Sequence, residues 1–309
     1  MGKYVMSAEE KAYLKAYDLS KYDRPSVTAD IAVFAVREEQ NGKSGETGQD
    51  ENYRKDPVRE LKILLVKRGS YPYKDFWALP GGFSMKHESS HQTALRELQE
   101  ETGVRDAYLR PFGVFSKPGR DPRGWIISHG YLALIDGNGY RLHAGTDAWE
   151  AAWFTMEIKS SELTRKTEDG ETKVENRHEL KLYQAQRELT LSAKVREKKI
   201  FSGLHGTAEY EIEESGGLAF DHAQIILNAW QNLQREAEKE GRIVFDLMPE
   251  SFTLNQLQRA FEMVLGRELL TANFRRKIAP MVIETQEETC GVGHRPAKLY
   301  RRNPEEFFL

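Results

Sequence analysis

The sequence has little of the chemistry typical of membrane-embedded or disulfide-stabilised proteins. Its 309 residues include a single cysteine, so no internal disulfide can form, and a lone thiol is typical of the reducing cytoplasm. No apolar run reaches the roughly eighteen residues that a membrane span requires. The charged first sixteen residues predict a helix and not a secretory signal. We therefore expect a cytoplasmic protein with no membrane partner.

The overall charge also limits the kind of partner. The formal net charge is −3 at pH 7, so the chain lacks the strong excess of either sign that would favour a highly charged partner over its whole surface. Any nucleic-acid surface must therefore be local. The length suggests about two domains, and a hydrophobic content of 39% is enough for a core.

Seven residues between positions 82 and 103 form the most informative pattern of the chain. They are Gly82, Glu88, Arg96, Glu97, Glu100, Glu101 and Gly103. Seven letters at about one in fifteen each coincide by chance on the order of once in 10^8 positions. Residues 89–102 lack proline and glycine, and Ser89 with Gln92 fits a capping box. We therefore predict a helix that ends at Gly103.

Three carboxylates of this predicted helix share one face. Glu97, Glu100 and Glu101 stand at i, i+3 and i+4, where their negative charges repel each other. A hard divalent cation, Mg²⁺ or Mn²⁺, would relieve this repulsion and could be shared with a substrate diphosphate. Arg96 could pair with Glu100, and Gly81 could offer its main-chain carbonyl to the cation. A solvated acidic helix is the alternative interpretation.

The complete pattern resembles the Nudix box, which marks hydrolases of nucleoside diphosphates linked to another moiety. The resemblance implies a mixed sheet between helices, with the box forming a loop, a helix and a loop. It implies that Glu97, Glu100 and Glu101 bind metal beside the carbonyl of Gly81 and that a water attacks phosphorus. Arg96 completes the candidate catalytic set. The box leaves open which residue accepts the proton of the water.

Cationic and aromatic residues near the box are candidates for substrate contact. Arg120 and Arg123 lie in one stiff segment rich in proline and glycine. Two arginines there suit phosphate and ribose recognition, although an ordinary turn has the same composition. Arg68 and Gly82 complete the predicted substrate-binding set. Four aromatic residues at 71–77 could stack on a base or pack internally.

Hydrophobic patterning predicts the other elements of the N-terminal 240 residues. We predict a helix at 7–16, strands at 27–36, 62–67, 109–115 and 125–135, and a flexible insertion at 37–59. Residues 157–179 are polar and are predicted to form a loop, followed by antiparallel strands. Asp221 is the predicted N-cap of a helix that continues to residue 235, and His222 is predicted to be structural.

Residues 241–309 differ in character and are predicted to form a second domain. Thr253 caps a predicted helix, and residues 270–278 form a second one whose Phe274 and Ile278 point inward. A hairpin of two strands follows, at 282–285 and 298–302. The predicted fold class is therefore α/β (α+β), a mixed sheet with helices plus a C-terminal winged helix-turn-helix.

The charge of this second domain suits DNA. Between Thr271 and Asn303 the sequence has seven lysines or arginines against three glutamates. A winged helix places its second helix in the major groove and its hairpin across phosphates, and both elements are basic here. A small helical module that supports dimerisation, with solvated charges, is the alternative.

Five segments resemble the Nudix-related transcriptional regulators called NrtR. They are YDLSKYDRPSVTAD from Tyr17, LAFDHA from Leu218, FTLNQLQ from Phe252, NFRRKI from Asn273 and GHRPAKLY from Gly293. The resemblance implies a homodimer that binds ADP-ribose or a related NAD-derived metabolite and that controls NAD or sugar metabolism genes through double-stranded DNA. The DNA-facing residues would be Asn273, Arg275, Arg276, Lys277, His294 and Arg295.

One departure from this regulator family concerns the box. Many members have lost carboxylates of the box and only sense the ligand, whereas this chain keeps all of them. We therefore expect Mg²⁺-dependent cleavage of ADP-ribose or a close relative. A regulator that binds the same kind of effector without significant hydrolysis is the alternative.

Overall fold

The structure, a computed structural model, describes residues 4–38, 59–105, 107–137, 148–289 and 296–307. Most of the predicted insertion at 37–59 lies outside the described residues, as do His294 and Arg295. In the described part of the chain no helix is long and apolar enough to cross a membrane.

The described residues form a large mixed sheet, a small hairpin and five α-helices. The helices are α1 (Ala8–Ala16), α2 (Ser90–Thr102), α3 (His222–Lys239), α4 (Leu254–Leu265) and α5 (Thr271–Ile278). The first strands are β1 (Ser26–Glu38), β2 (Arg59–Arg68), β3 (Trp77–Ala78), β4 (Gly81–Phe83), β5 (Tyr108–Phe115) and β6 (Ile126–Asp136). The later strands are β7 (Ala148–Glu168), β8 (Glu171–Gln184), β9 (Leu189–Ser202), β10 (His205–Glu214), β11 (Val282–Glu288) and β12 (Lys298–Arg302).

The large sheet has the strand order β10-β9-β8-β7-β2-β1-β6-β5, with β3 paired to β2 and β4 paired to β1. β1 and β6 are parallel, and the other pairs are antiparallel. The two faces of β1 are covered by different helices because successive side chains point to opposite faces. Ile31 and Val33 pack in the cluster of α2, whereas Ala32 and Phe34 pack in the cluster of α3. The predicted mixed sheet between helices is confirmed.

The prediction of a loop at 157–179 is wrong. β7 and β8 pair along this segment from Thr155↔Tyr183 to Glu168↔Glu171. Asp169 and Gly170 have φ angles of 51° and 77°, which is the backbone of a tight hairpin turn. The pattern of this segment is misleading because much of the hairpin is solvent-exposed, so polar residues occur on both faces while backbone hydrogen bonds hold the strands together.

The C-terminal helices and hairpin follow the sequence prediction. Thr253 forms a capping box with Gln256, and Phe274 and Ile278 on α5 are buried. β11 pairs with β12. Phe252, just before α4, belongs to one hydrophobic cluster that also contains α3 and the large sheet. The domain boundary after residue 240 stays a prediction, since this cluster is continuous across it.

Candidate functional site

Helix α2 begins and ends where the sequence predicts. Ser89 Oγ accepts the backbone N–H of Gln92, the Gln92 side chain accepts the backbone N–H of Ser89, and Gly103 ends the helix with a φ of 77°. Leu98 and Thr102 are buried beneath it. Fixed ends and a buried face set the rotation of the helix, so its glutamates face strand β4.

An open cavity of about 460 Å³ lies where α2 faces the strand ends. Its lining includes every residue predicted for catalysis, metal binding or substrate binding: Arg68, Gly81, Gly82, Arg96, Glu97, Glu100, Glu101, Arg120 and Arg123. The tertiary fold therefore brings together groups from segments that are far apart in sequence. Whether each residue performs the predicted role stays a prediction.

Arg96 organises the acidic side of the cavity. Its Nε donates to Glu88 Oε1 at 2.8 Å, and its Nη1 donates to Glu97 Oε1 at 2.7 Å and to Glu100 Oε2 at 3.2 Å. The pairing predicted between Arg96 and Glu100 is therefore present. Hydrogen bonds from Arg96 lower the pKa of Glu88 to about 2. Burial raises the pKa of Glu97 despite its contact with Arg96.

Two adjacent glycines bring strand β4 against these carboxylates. The Gly81 N–H donates to Glu101 Oε2 at 2.9 Å, and burial raises the pKa of Glu101 to about 8. A Cβ on Gly82 would lie 2.3 Å from Glu97 Oε1, closer than any such contact can be. Any larger residue at this position would therefore displace the Glu97 carboxylate, which occupies the space above the Cα of Gly82.

The donor chemistry of this site fits a hard divalent cation. Glu97 and Glu101 both have raised pKa values, which means that the protein around them penalises their negative charge and that a nearby cation would remove the penalty. Carboxylate and carbonyl oxygens are the ligands that Mg²⁺ prefers. Across the described ranges, however, no three acidic, histidine or cysteine side chains are already grouped to hold a metal ion.

Arg120 binds two carboxylates in the wall of the cavity. Its Nε donates to Asp221 Oδ2 at 2.8 Å, and its Nη2 donates to Asp221 Oδ1 at 2.6 Å and to Asp30 Oδ2 at 3.3 Å. Only 4% of its side chain is exposed. Asp221 does precede α3 as predicted, but its side chain makes no capping hydrogen bond because both of its oxygens bind Arg120.

Arg123 and Arg68 lie among aromatic rings at the cavity. The Arg123 guanidinium is 4.8 Å from the ring centroid of Phe83 and 5.3 Å from that of Phe220, and it also pairs with Asp121. The Arg68 guanidinium is 4.8 Å from the Phe220 ring. The cavity thus has both positive charge for phosphates and flat apolar surface for a planar ring.

Contact with the cavity, one of the two alternatives for the aromatic residues at 71–77, is not observed. None of the four at 71–77 lines the cavity, and Trp77 packs instead against Phe154 in the core, with ring centroids 4.8 Å apart. Phe83 and Phe220 were missed. Phe220 has a usable signal, because it stands in the Phe-Asp-His segment at the start of α3, whereas Phe83 has no signal beyond its place inside the box.

Asp30 and His222 are further lining residues that the sequence did not assign to the site. Asp30 is the one charged residue of the strand predicted at 27–36, and this was its available signal. His222 Nδ1 accepts the Leu79 N–H at 2.8 Å, and burial lowers the pKa of this imidazole. The contact with the backbone before β4 agrees with the predicted structural role of His222.

A second candidate surface lies on α5. Asn273, Arg275, Arg276 and Lys277 are exposed there, while Phe274 and Ile278 anchor the opposite face. Helical periodicity therefore separates a basic outer face from an apolar inner face. This separation was predicted, but the hairpin tip with His294 and Arg295 lies outside the described residues.

Family models match both regions of the chain. A NUDIX domain model matches residues 54–174, and an NrtR DNA-binding winged helix domain model matches residues 244–302. The chain is 29% identical over 297 residues to the ADPR responsive transcriptional repressor NtrR of Acinetobacter baylyi. The alignment covers 95% of this chain and 88% of that protein. It is 36% identical over 146 residues to the ADP-ribose pyrophosphatase of Methanocaldococcus jannaschii, covering 47% of this chain and 73% of that enzyme.

Solved structures share the architecture over nearly the whole chain. A MutT/nudix family protein from Enterococcus faecalis has a TM-score of 0.62 at 25% identity and covers 97% of this chain and 100% of its own. Shewanella oneidensis NrtR complexed with a 27mer DNA has a TM-score of 0.54 at 24% identity, covering 91% and 94% respectively. At that identity the second likeness supports the fold alone.

Proposed function

Because the chain belongs to the NUDIX family and carries an NrtR-type winged helix domain, we propose that it hydrolyses ADP-ribose or a related nucleoside diphosphate derivative and also binds DNA. The observation that carries the hydrolytic part is the complete carboxylate set beside Gly81 and Gly82 in a cavity lined by arginines. A site that served only to sense an anion would have no need for three glutamates directed at it.

The proposed roles follow from contacts in the cavity. Glu97, Glu100 and Glu101, with the carbonyl of Gly81, would hold Mg²⁺ or Mn²⁺. A bound cation of this kind supplies neutralisation of the diphosphate and a lowered pKa for a water. Arg96 holds Glu97 and Glu100 in place through its Nη1.

The basic side of the cavity would bind the substrate. Arg68 and Arg123 suit the diphosphate oxygens, because both guanidiniums line the cavity beside aromatic rings. Phe83 and Phe220 suit a nucleobase, because a planar base could stack on either phenyl ring in place of part of that ring's contact with a guanidinium. Arg120 acts as a positioning residue, because its Nε and Nη2 already donate to Asp221 and Asp30.

Product analysis tests the hydrolytic part. Full-length protein is incubated with ADP-ribose and Mg²⁺, and AMP is measured by chromatography. We expect AMP from the unaltered chain and about 100-fold less from Glu100→Gln or Glu101→Gln, since each removes a negative ligand. Glu157→Gln, on the exposed part of β7, is the matched control and should keep full activity. Absence of AMP contradicts hydrolysis, and equal yields from all variants contradict hydrolysis at this site.

The second candidate function is sensing without turnover, and the similarity to an ADPR responsive repressor favours it. Calorimetric titration with ADP-ribose in the absence of Mg²⁺ measures binding alone. Binding together with an absence of AMP in the preceding assay supports the sensor, whereas binding together with AMP supports both functions. A homodimer is part of this proposal, and sedimentation equilibrium would measure it.

A further inference from the structure

A second cavity lies on the α3 side of the large sheet. The two edge strands of the sheet, β5 and β10, both contact α3, and Lys117 Nζ donates to the Tyr210 carbonyl at 3.2 Å across the space between them. The cavity at this place is open and has a volume of about 400 Å³, similar to the 460 Å³ of the first. Its size is within the range of small-molecule sites.

The floor of this second cavity is a row of amides on α3. Gln224, Asn228, Gln231 and Asn232 all line it, and their spacing places them along one face of the helix. The Oδ1 atoms of Asn228 and Asn232 are shielded from solvent and accept no hydrogen bond from any described residue. Buried acceptors without donors destabilise a fold, so rotation of each amide toward a donor in the cavity, supplied by a ligand or by ordered water, would stabilise the chain.

The sides of the cavity supply flat apolar surface and positive charge. Phe112 and Phe115 line it, with ring centroids 5.9 Å apart, and Tyr210 lies opposite on β10. Lys117 and Arg235 are the cationic lining residues. Asp221 is the acidic lining residue, and both of its carboxylate oxygens are paired with Arg120. An anion is therefore favoured over a cation.

We propose that this second cavity binds a mononucleotide. The base lies against the aromatic side chains and donates its ring or exocyclic N–H groups to Asn228 and Asn232, and the phosphate lies near Lys117 and Arg235. The combination fits because a nucleobase has both a flat face and an edge with donors, while the phosphate carries the negative charge that the two cations attract. The inference does not depend on hydrolysis in the first cavity.

Photolabelling with 8-azidoadenosine 5′-monophosphate tests the proposal in a way that separates the two cavities. The full chain is irradiated with this probe and digested, and the labelled peptides are identified by mass spectrometry. Label on peptides that contain Phe112 or Tyr210 reports the second cavity, whereas label on Phe83 or Phe220 reports the first. We expect label at both places, and excess AMP should remove it.

The decisive variant is the double substitution Asn228→Leu with Asn232→Leu, which keeps similar volume but removes the amides. We expect about tenfold less label in the second cavity and unchanged label in the first. Gln234→Leu is the control, since it lies on the same helix and lines neither cavity. If the double variant does not fold, the exposed Arg235→Gln should still weaken labelling about fivefold.

Two results would overturn the proposal. Label confined to the Phe83 and Phe220 peptides would mean that water alone pairs the two asparagine oxygens. Equal labelling of the unaltered chain and of the folded asparagine or Arg235 variant would mean that the amides and the cation take no part in binding.

Discussion

Arg120 and Asp221 form a buried ion pair with two hydrogen bonds that separates the two cavities. Arg120 lines the first cavity and Asp221 lines the second, and the pair is joined by Nε–Oδ2 and Nη2–Oδ1 contacts of 2.8 and 2.6 Å. Asp221 also immediately precedes α3, which packs between the sheet and the C-terminal helices. One ion pair thus contacts both cavities and the start of the helix that connects them to the winged helix.

Loss of this ion pair should destabilise the whole chain. Arg120→Met leaves Asp221 and Asp30 without their shared cation, and removal of one partner from a buried pair costs about 3–5 kcal/mol. We expect that decrease in the free energy of unfolding, measured by urea denaturation. Arg165→Met, which removes an exposed pair with Glu162, should change it by less than about 1 kcal/mol. Equal changes in the two variants would show that the buried pair has no special role.

A methyl group on Gly82 should displace Glu97. The added Cβ of Gly82→Ala would meet Glu97 Oε1 at 2.3 Å, so the carboxylate must move by about an ångström. Misplacement of this size can lower catalysis about 100-fold. Gly113→Ala is the control, because its Cβ would meet Phe115 at an ordinary 3.6 Å. Initial rates of AMP release measure the effect, and full activity in Gly82→Ala would exclude Glu97 from the reaction.

Acid should weaken the sheet extension through Glu197. Burial alone would raise the pKa of this carboxyl, but hydrogen bonds from His178, Lys199 and Asn176 outweigh it and lower the pKa to about 2. A lowered carboxyl pKa stabilises the folded chain above the ordinary value of 4.5, and this contribution is lost as the pH falls toward 2. The difference of 2.5 pKa units corresponds to about 3 kcal/mol.

Glu197→Gln tests this pH dependence. The variant should have a lower free energy of unfolding than the unaltered chain at about pH 6. This gap should narrow at about pH 3, because the stabilisation that ionised Glu197 gives the folded chain is then partly lost. Urea denaturation at the two pH values measures the gap. The exposed Glu179→Gln on β8 is the control and should show little effect at either pH. A gap that does not narrow would assign the stabilisation to packing.

The exposed face of α5 should determine DNA affinity. The double variant Arg275→Gln with Arg276→Gln should bind the DNA upstream of the protein's own gene more weakly than the unaltered chain does. The slope of log affinity against log salt should fall by about one unit for each phosphate that an arginine no longer neutralises. Arg267→Gln removes an exposed arginine from the loop after α4 and should have no such effect. Fluorescence anisotropy at several salt concentrations measures both quantities, and unchanged affinity in the double variant would refute the assigned surface.

Local signals in the sequence were sufficient for the elements with clear ends and one apolar face. Helix α2 was predicted from its capping box and its terminal glycine, and the start of α4 from Thr253. The part of the β7–β8 hairpin within 157–179 was missed, since most of its side chains are polar and its strands are held by cross-strand backbone bonds. The sequence of a polar segment does not show that the segment will pair with a neighbouring strand.

The sequence by itself determined the acidic half of the site and the basic face of α5, because each depends on spacing within one helix. Only the tertiary structure decided which distant residues meet them. It brings the rings of Phe83 and Phe220 close to the Arg123 guanidinium, and it pairs Arg120 with Asp221. It also created the second cavity by bringing two edge strands to α3. Such contacts arise from long-range packing, which no local pattern of residues specifies.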